Sequence, residues 1–469
     1  MMVDSHAHLH AVEFDSDRDA VIARAHGAGV DVIVTVGTDV ESSRKAIGIA
    51  EGQKGVYAAV GVHPNDLSAA HGSWREAIRE LAAAPVVKAI GETGLDLYRH
   101  RVDPAVQKEA LLAHLEIARE RSLPVILHSR AAGREVLDVI EEFSKGAPVR
   151  GVMHCFTEHE DVMRRAVRAG LYISFAGPLT YPISRKAREV MKAVPDSRIL
   201  VETDSPFLGA EPVKHKRNEP AYLRYVLTKV AETRRISPRD AARITSLNAD
   251  DLFGLGLADR TPKVAYGIRS NLYLNITNRC TSSCTFCPRA KAASSGAGAE
   301  DASAYYVKGH NLRLEREPSA REVIAAMGDI SPYREVVFCG LGEPTLRLEV
   351  LLEVAKWARA QGARVRLDTN GQGSLFHGRS IVGELAEALD AVWVSLNAPT
   401  AEEYERLCRP ERGREAFGAV LQFVREARER IPEVVVTAVE VPGLDVQAIR
   451  ALAKDLGVKY HGRRLDEVG

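Results

Sequence analysis

Short apolar runs alternate with helix-length amphipathic stretches along the whole chain, and they fall into two sets. The first set of candidate strands opens with MMVDSH and continues at 31–37, 56–63, 86–92, 124–129, 150–156, 171–177 and 198–204. Between them lie stretches with helical periodicity, such as PAVQKEALLAHLEIARER at 104–121. Runs rich in Val and Ile, spaced by helices, predict a parallel sheet covered on both faces. Eight such units over residues 1–257 predict a (β/α)8 TIM barrel.

The second set runs from 271 to 469, with candidate strands at 271–277, 335–340, 364–371, 391–397, 433–441 and 458–462. Helical stretches such as LEVLLEVAKWARAQG and AFGAVLQFVREARER separate them. Six units predict a partial (β/α)6 barrel rather than a closed one. Gly254, Gly256, Pro262 and Gly267 punctuate the join, so residues 258–270 read as a short ordered linker. The segment 290–311 is rich in Ala, Ser and Gly. It reads as a flexible insertion, either a cover for a site or an inert loop.

A length of 469 residues calls for two or three domains. Hydrophobic residues at 45% and charged ones at 27% are globular proportions. Net charge is zero, so there is no general basic field for nucleic acid, and a nucleic-acid substrate would need local basic patches. No signal peptide and no membrane span are read from the sequence. Six cysteines in so long a chain do not make a disulfide scaffold, and a cytoplasmic location is expected.

Polar residues gather at one end of the first strand set. His6 and His8 follow strand one, Glu92 ends strand four, His128 strand five, His154 strand six and Asp204 strand eight. In a barrel these ends converge on one mouth. Four imidazoles and two carboxylates suit Zn²⁺, Mn²⁺ or a similar divalent ion. His6 and His8, two residues apart on a strand, face the same way. One polar strand end alone is usually structural; six at the same end are not.

DSHAHL, GVHP, GETGLD, LHSR, HCFT, ETDSPFL and RNEP stand in order along residues 1–257. This set resembles the TatD family of metal-dependent DNases and phosphodiesterases in the amidohydrolase superfamily. The resemblance implies His6, His8, Glu92, His128, His154 and Asp204 as ligands of two divalent ions (Zn, Mn or Mg), with Glu92 able to bridge them. It implies His63 and Arg130 in the substrate pocket, and a DNA or nucleotide substrate. Two-metal hydrolysis would follow, with a bridging water of lowered pKa held by Asp204, which takes its proton. A small cyclic amide or phosphodiester stays open as substrate, as does a role for this half as a nucleic-acid-recruiting module. VKHKR at 213–217 reads equally as a phosphate contact or a solvated face. His10, His26, His71 and His100 match no motif and read as surface or packing histidines.

In the second half, NRCTSSCTFCPR places Cys280, Cys284 and Cys287 after the first strand. Three thiolates do not close a tetrahedral zinc site, which needs four ligands, and distant Cys339 or His310 is the alternative that would complete one. Three ligands suit a [4Fe–4S] cluster with one iron open. The motif resembles the signature of radical S-adenosylmethionine (SAM) enzymes. GLGEPTL at 340–346, DTNG at 368–371 and VSLNAPTAEEYERLCRP at 394–410 agree with it in order. The resemblance implies a [4Fe–4S] cluster on the three cysteines, SAM on the fourth iron, and its one-electron cleavage to a 5′-deoxyadenosyl radical. Gly342, Glu343, Asn370, Ser395 and Asn397 are the expected SAM contacts. A reductant protein such as a flavodoxin or ferredoxin would be the partner, and no membrane is expected. Cys339 and Cys408 read as packing cysteines. The whole arrangement resembles the TatD-linked radical SAM proteins.

Overall fold

The computed structural model describes residues 1–68, 73–99, 101–257, 259–289 and 305–464. His71, His100 and most of the 290–311 insertion lie outside the described residues. The chain divides into two compact units, Met1–Ala258 and Asp259–Gly469.

The first unit is one parallel sheet of eight strands in sequence order. These are β1 (Met2–Ala7), β2 (Val30–Val36), β3 (Val56–Val60), β4 (Val87–Asp96), β5 (Val125–Arg130), β6 (Gly151–Met153), β7 (Tyr172–Phe175) and β8 (Ile199–Val201). Beyond the ends of β1 and β8, the Asp204 amide donates to the His6 carbonyl at 2.9 Å and the His8 amide to the Ser205 carbonyl at 2.7 Å. These bonds join the first strand to the segment after the last, so the ring closes at its mouth as predicted. Alternate side chains split into two packed sets. Ile33, Val60, Ile90 and Leu127 pack with the helices, while Val32, Val34, Val36, Ala89, Ile126 and Leu200 pack with one another. The helix Pro238–Phe253 brings Leu252 and Phe253 to the second set. Its Asn248 amide donates to the Ile199 carbonyl, which tethers it beneath the start of β8. With both sequence neighbours of most strand positions buried, near-continuous apolar runs are what such a sheet requires.

The helix Pro104–Arg121 shows how sequence sets an element's limits. The Asp103 side chain accepts from the Ala105 amide, Pro104 stands in the first turn where its missing N–H costs nothing, and Ser122 ends the helix in the left-handed conformation.

The second unit is an open sheet of seven strands. Six run parallel: β10 (Asn271–Leu274), β13 (Glu335–Phe338), β14 (Val365–Thr369), β15 (Ala391–Ser395), β16 (Glu433–Glu440) and β17 (Lys459–Arg464). They are the six predicted strands of the partial barrel. Residues 265–268, read above as linker, form an antiparallel edge strand β9 (Ala265–Ile268) against β10. Part of the 290–311 segment is regular too: β11 (Tyr306–Val307) pairs with β12 (His310–Asn311). Val336, Phe338, Val365, Leu367, Val392 and Val394 face helices such as Leu348–Ala360 and Glu415–Arg430. The alternate positions, among them Tyr273, Arg366, Asp368, Trp393 and Thr437, make the other face largely polar or aromatic. Among the described residues no helix is long and apolar enough to cross a membrane.

Candidate functional site

At the mouth of the first unit the strand-end residues converge. His6, His8 and Glu92 offer donor atoms within 4.8 Å of one another, and so do His63, Glu92 and His128. Glu92 therefore belongs to both groups, the placement a bridging carboxylate needs. Its Oε1 lies 2.7 Å from His128 Nδ1 and 2.9 Å from His154 Nε2, and its Oε2 lies 3.5 Å from His6 Nε2. Asp204 Oδ1 lies 3.2 Å from His8 Nε2 and 3.5 Å from His6 Nε2. All six residues expected as ligands are thus gathered in one place.

His63, expected in the substrate pocket, stands within the donor group itself, with Nε2 3.4 Å from Glu92 Oε1. Arg130 is exposed at the rim, its guanidinium 4.5 Å from the Tyr98 ring centre. The basic stretch 213–217 is largely engaged elsewhere. Lys214 pairs with Glu211, and Arg217 pairs with Asp17 across 2.8 Å. His10 packs edge-on against His8 with ring centres 5.6 Å apart, and His26 Nδ1 lies 3.0 Å from the Val30 carbonyl.

Three supporting carboxylates escaped the sequence reading. Glu202 accepts from the Cys155 amide at 2.5 Å and lies 3.5 Å from His154 Nδ1. Asp96 Oδ2 lies 3.6 Å from His128 Nε2 and accepts from Asn65 Nδ2 at 2.7 Å. Asp4, fully buried, accepts from the Thr203 amide at 2.9 Å, and burial pushes its carboxyl up to about 8. Glu202 carried a signal: it precedes Asp204 by two residues, as His6 precedes His8.

The electrostatics fit a cation. Burial opposes the charge on Glu92, yet His154, His63 and His128 hold it well below the usual carboxylate range. Burial likewise opposes Asp204, and His8 and His6 keep it low. His6 Nδ1, His128 Nε2 and His154 Nδ1 are buried without a hydrogen-bond partner. Ionised carboxylates packed among under-bonded imidazoles are the donor set for divalent metal ions.

In the second unit, Cys280, Cys284 and Cys287 are half-buried on the loop after β10. The loop is anchored on several sides. The Cys287 amide donates to the Cys284 carbonyl at 2.9 Å, and Thr285 N donates to the Leu407 carbonyl at 2.9 Å. Asn370 Nδ2 donates to Thr281 Oγ1 at 2.9 Å and lies 3.7 Å from Cys280 Sγ. A Cβ at Gly342 would meet the Thr277 carbonyl oxygen at 2.2 Å, so a glycine lets the GLGEP loop close against the cysteine loop. Burial pushes the Cys280 thiol up to about 12. A hydrogen bond with Cys408 and burial raise Cys284. Three thiols held on one well-tied loop and left partly open fit a thiolate-bound cluster whose assembly takes their protons.

Of the expected SAM contacts, Gly342, Glu343 and Asn370 gather at this loop. Glu343 is buried and accepts from Thr345 N, Thr369 Oγ1 and the Asn370 amide. Ser395 and Asn397 lie at the end of β15 and are bonded elsewhere, Ser395 Oγ to Arg463 and Asn397 Oδ1 to the Val439 amide. The alternative fourth zinc ligands are also occupied elsewhere. His310 Nε2 lies 3.2 Å from the Gly267 carbonyl, and the cysteine that reaches Cys284 is Cys408 rather than Cys339.

Comparison with known proteins finds a family for each unit. Residues 3–254 match the family described as TatD related DNase, and residues 274–456 match the Radical SAM superfamily. The chain is 40% identical over 256 residues to the uncharacterized metal-dependent hydrolase YabD of Bacillus subtilis (strain 168), covering 54% of this chain and 99% of that protein. It is 35% identical over 259 residues to the 3′-5′ ssDNA/RNA exonuclease TatD of Escherichia coli (strain K12), covering 54% of this chain and 99% of that one. The crystal structure of YjjV, a TatD homologue from Escherichia coli K12, superposes with a TM-score of 0.52 at 29% identity, over 54% of this chain and 98% of that chain. These relatives correspond to the first unit alone. Metal-dependent hydrolases of this kind use divalent ions, and radical SAM enzymes a [4Fe–4S] cluster with SAM. The chain belongs to the TatD-related DNase family, and it joins that hydrolase unit to a radical SAM unit.

Proposed function

We propose that the first unit hydrolyses phosphodiester bonds of single-stranded nucleic acid or nucleotides, and that the second cleaves SAM reductively to start radical chemistry on a separate substrate. The observation that carries the hydrolase reading is Glu92 shared between two donor groups. Two divalent ions held there would supply an activated water and neutralise charge on the attacked phosphate. His6, His8, His128, His154 and Asp204, with His63 beside them, are the residues that would hold the ions. Asp204, kept ionised among imidazoles, is the group to take the proton of the attacking water at its carboxylate. Arg130 at the rim presents a fork to a phosphate and a cation stacked on Tyr98. The name of the Escherichia coli relative supports single-stranded DNA or RNA as the polymer.

For the second unit, a [4Fe–4S] cluster with SAM would supply one-electron cleavage and hydrogen-atom abstraction. Cys280, Cys284 and Cys287 would hold the cluster. Gly342, Glu343 and Asn370 stand beside Cys280 to receive SAM, with Ser395 and Asn397 as further contacts. Electrons would come from a flavodoxin- or ferredoxin-like protein.

The test of the hydrolase reading is digestion of 3′-labelled single-stranded DNA, a nucleotide phosphodiester and a cyclic amide by the metal-loaded chain. We expect metal-dependent cleavage of the first two, lost at least about 100-fold in Asp204→Asn. Cleavage of the amide alone, or unchanged rates in Asp204→Asn, would overturn it.

A further inference from the structure

Buried polar atoms without partners are rare in a folded protein, and each implies something that satisfies it. Among the described residues, five such side-chain atoms, on His6, His10, Asn65, His128 and His154, lie at the hydrolase mouth, and Ser144 carries one elsewhere. The remaining four, Asn275 Oδ1, Arg366 Nε, Asp368 Oδ1 and Arg463 Nε, belong to the second unit; of these, Arg366 Nε and Asp368 Oδ1 still lie within ion-pair distance of an opposite charge. They lie on one face of its sheet. Asn275 alternates with the helix-facing Leu274 and Ile276, and Arg366 and Asp368 alternate with Val365 and Leu367. Arg463 bonds to Ser395 and Thr437, which alternate with helix-facing Val394, Leu396, Val436 and Ala438.

The two arginines on this face differ. Arg366 has counter-charges: Glu335 Oε2 at 3.1 Å and Asp368 Oδ1 at 3.4 Å, and its guanidinium covers the Trp393 ring at 4.0 Å. Arg463 has none among the described residues. Its Nη2 donates to two neutral hydroxyls, Ser395 Oγ at 2.8 Å and Thr437 Oγ1 at 3.1 Å, and its Nε is buried and unbonded. A guanidinium does not lose its proton, so a partly desolvated one without a counter-ion is costly until an anion arrives. Ser395 and Thr437 each accept from Arg463, and their oxygens lie 3.5 Å apart, so even with one donating to the other a hydroxyl proton is left to give. Together they offer several donors to one set of acceptor oxygens.

We propose that this inner face binds the substrate of the second unit through an anionic group, a carboxylate or a phosphate, taken by Arg463 Nε with the Ser395 and Thr437 hydroxyls beside it. The Trp393 ring, with Arg366 over it and His461 at 5.1 Å, forms an adjoining wall against which the rest of the substrate packs. This inference rests on reading the unit as a radical SAM enzyme; it assigns Ser395, offered above as a SAM contact, to the substrate's anion instead, and leaves SAM to the contacts at Cys280.

The test uses crystals of the full chain, reconstituted anaerobically with iron, sulfide and SAM and soaked in selenate. Selenium's anomalous signal locates the anion. The expected result is a peak within hydrogen-bond distance of Arg463 Nε while SAM occupies the cluster, and no such peak in Arg463→Gln crystals. Arg463 lies on the last strand, away from the apolar core, so the variant leaves the packed helices intact. The proposal is overturned if SAM is bound but no selenium lies at Arg463, if the SAM carboxylate itself fills Arg463, or if the peak survives in Arg463→Gln. Failure of SAM to bind at the cysteines has a separate meaning: the radical SAM reading falls, and this proposal with it.

Discussion

Glu202 accepts from the Cys155 amide and from the Ser5 hydroxyl at 3.4 Å, and it stands 3.5 Å behind His154 Nδ1, which has no hydrogen bond of its own. A carboxylate behind an imidazole fixes its tautomer and orientation, and losing it usually weakens metal binding about 10–100-fold. Glu202→Gln keeps the shape and removes the charge. Titration of the metal-free chain with Zn²⁺ or Mn²⁺ should show a weakening of that order, and unchanged affinity would mean that Glu202 only packs. His114 offers a separate check, away from the metal donors. Its ring is fully buried, accepts from the Val62 amide at 3.0 Å and stacks on Trp74 at 4.7 Å. Burial lowers its pKa from 6.5 to about 4. The unfolded chain therefore binds a proton that the folded chain refuses, and this contribution to stability is lost as pH falls below 6.5. By pH 4 the loss amounts to about 3 kcal/mol at one histidine. Urea unfolding followed from pH 7 to pH 4.5 should show a smaller decline in His114→Gln than in the parent chain; parallel declines would exclude this residue as a cause. The six converging donors were legible because each ends an apolar run. Asp96 and Glu202 were not, because period-two alternation tells which way a side chain points but not which imidazole stands behind it.

At the scale of elements, the loop after β13 and the cysteine loop after β10 depend on each other. Gly342 lies against the Thr277 and Arg279 carbonyls, and the Glu343 amide donates to the Arg279 carbonyl at 2.7 Å. Gly342→Ala forces the two loops apart. We expect a stability loss of about 1–3 kcal/mol in the second unit, together with reduced iron incorporation seen in the visible absorbance of the reconstituted chain. Normal stability and a full cluster would show that the approach is not needed. The parallel strands of both units were readable because βα units leave long Val- and Ile-rich runs between amphipathic helices. The edge strand β9 was not, because Pro262 and Gly267 read as chain breakers. Gly267 is explained by its neighbour: a Cβ there would crowd the Tyr333 ring at 3.3 Å. Tyr266 and Ile268, both buried on one side of Gly267, were the alternation that marked the strand. Polar alternation on the inner face of the second sheet was also present in the sequence. Which of its charges are paired, and which are not, emerges only from the fold.

Across the whole molecule, two different sets of candidate donors occupy two separately packed units. Borderline nitrogen and carboxylate donors gather in one, and soft thiols in the other, which is the division expected for a divalent hydrolase centre and an iron–sulfur cluster. Relatives of the first unit match it end to end and leave the second uncovered. On this reading one chain holds both centres, and each depends on its own donors. The most direct measurement is the metal and sulfide content of the anaerobically purified full chain, compared with two variants: Asp204→Asn, and Cys280, Cys284 and Cys287 all replaced by Ala. The parent chain is expected to hold iron, sulfide and a second divalent metal. The cysteine variant loses iron and sulfide but keeps metal-dependent hydrolysis, and Asp204→Asn loses hydrolysis but keeps iron and sulfide. Iron and sulfide retained without the three cysteines would contradict it.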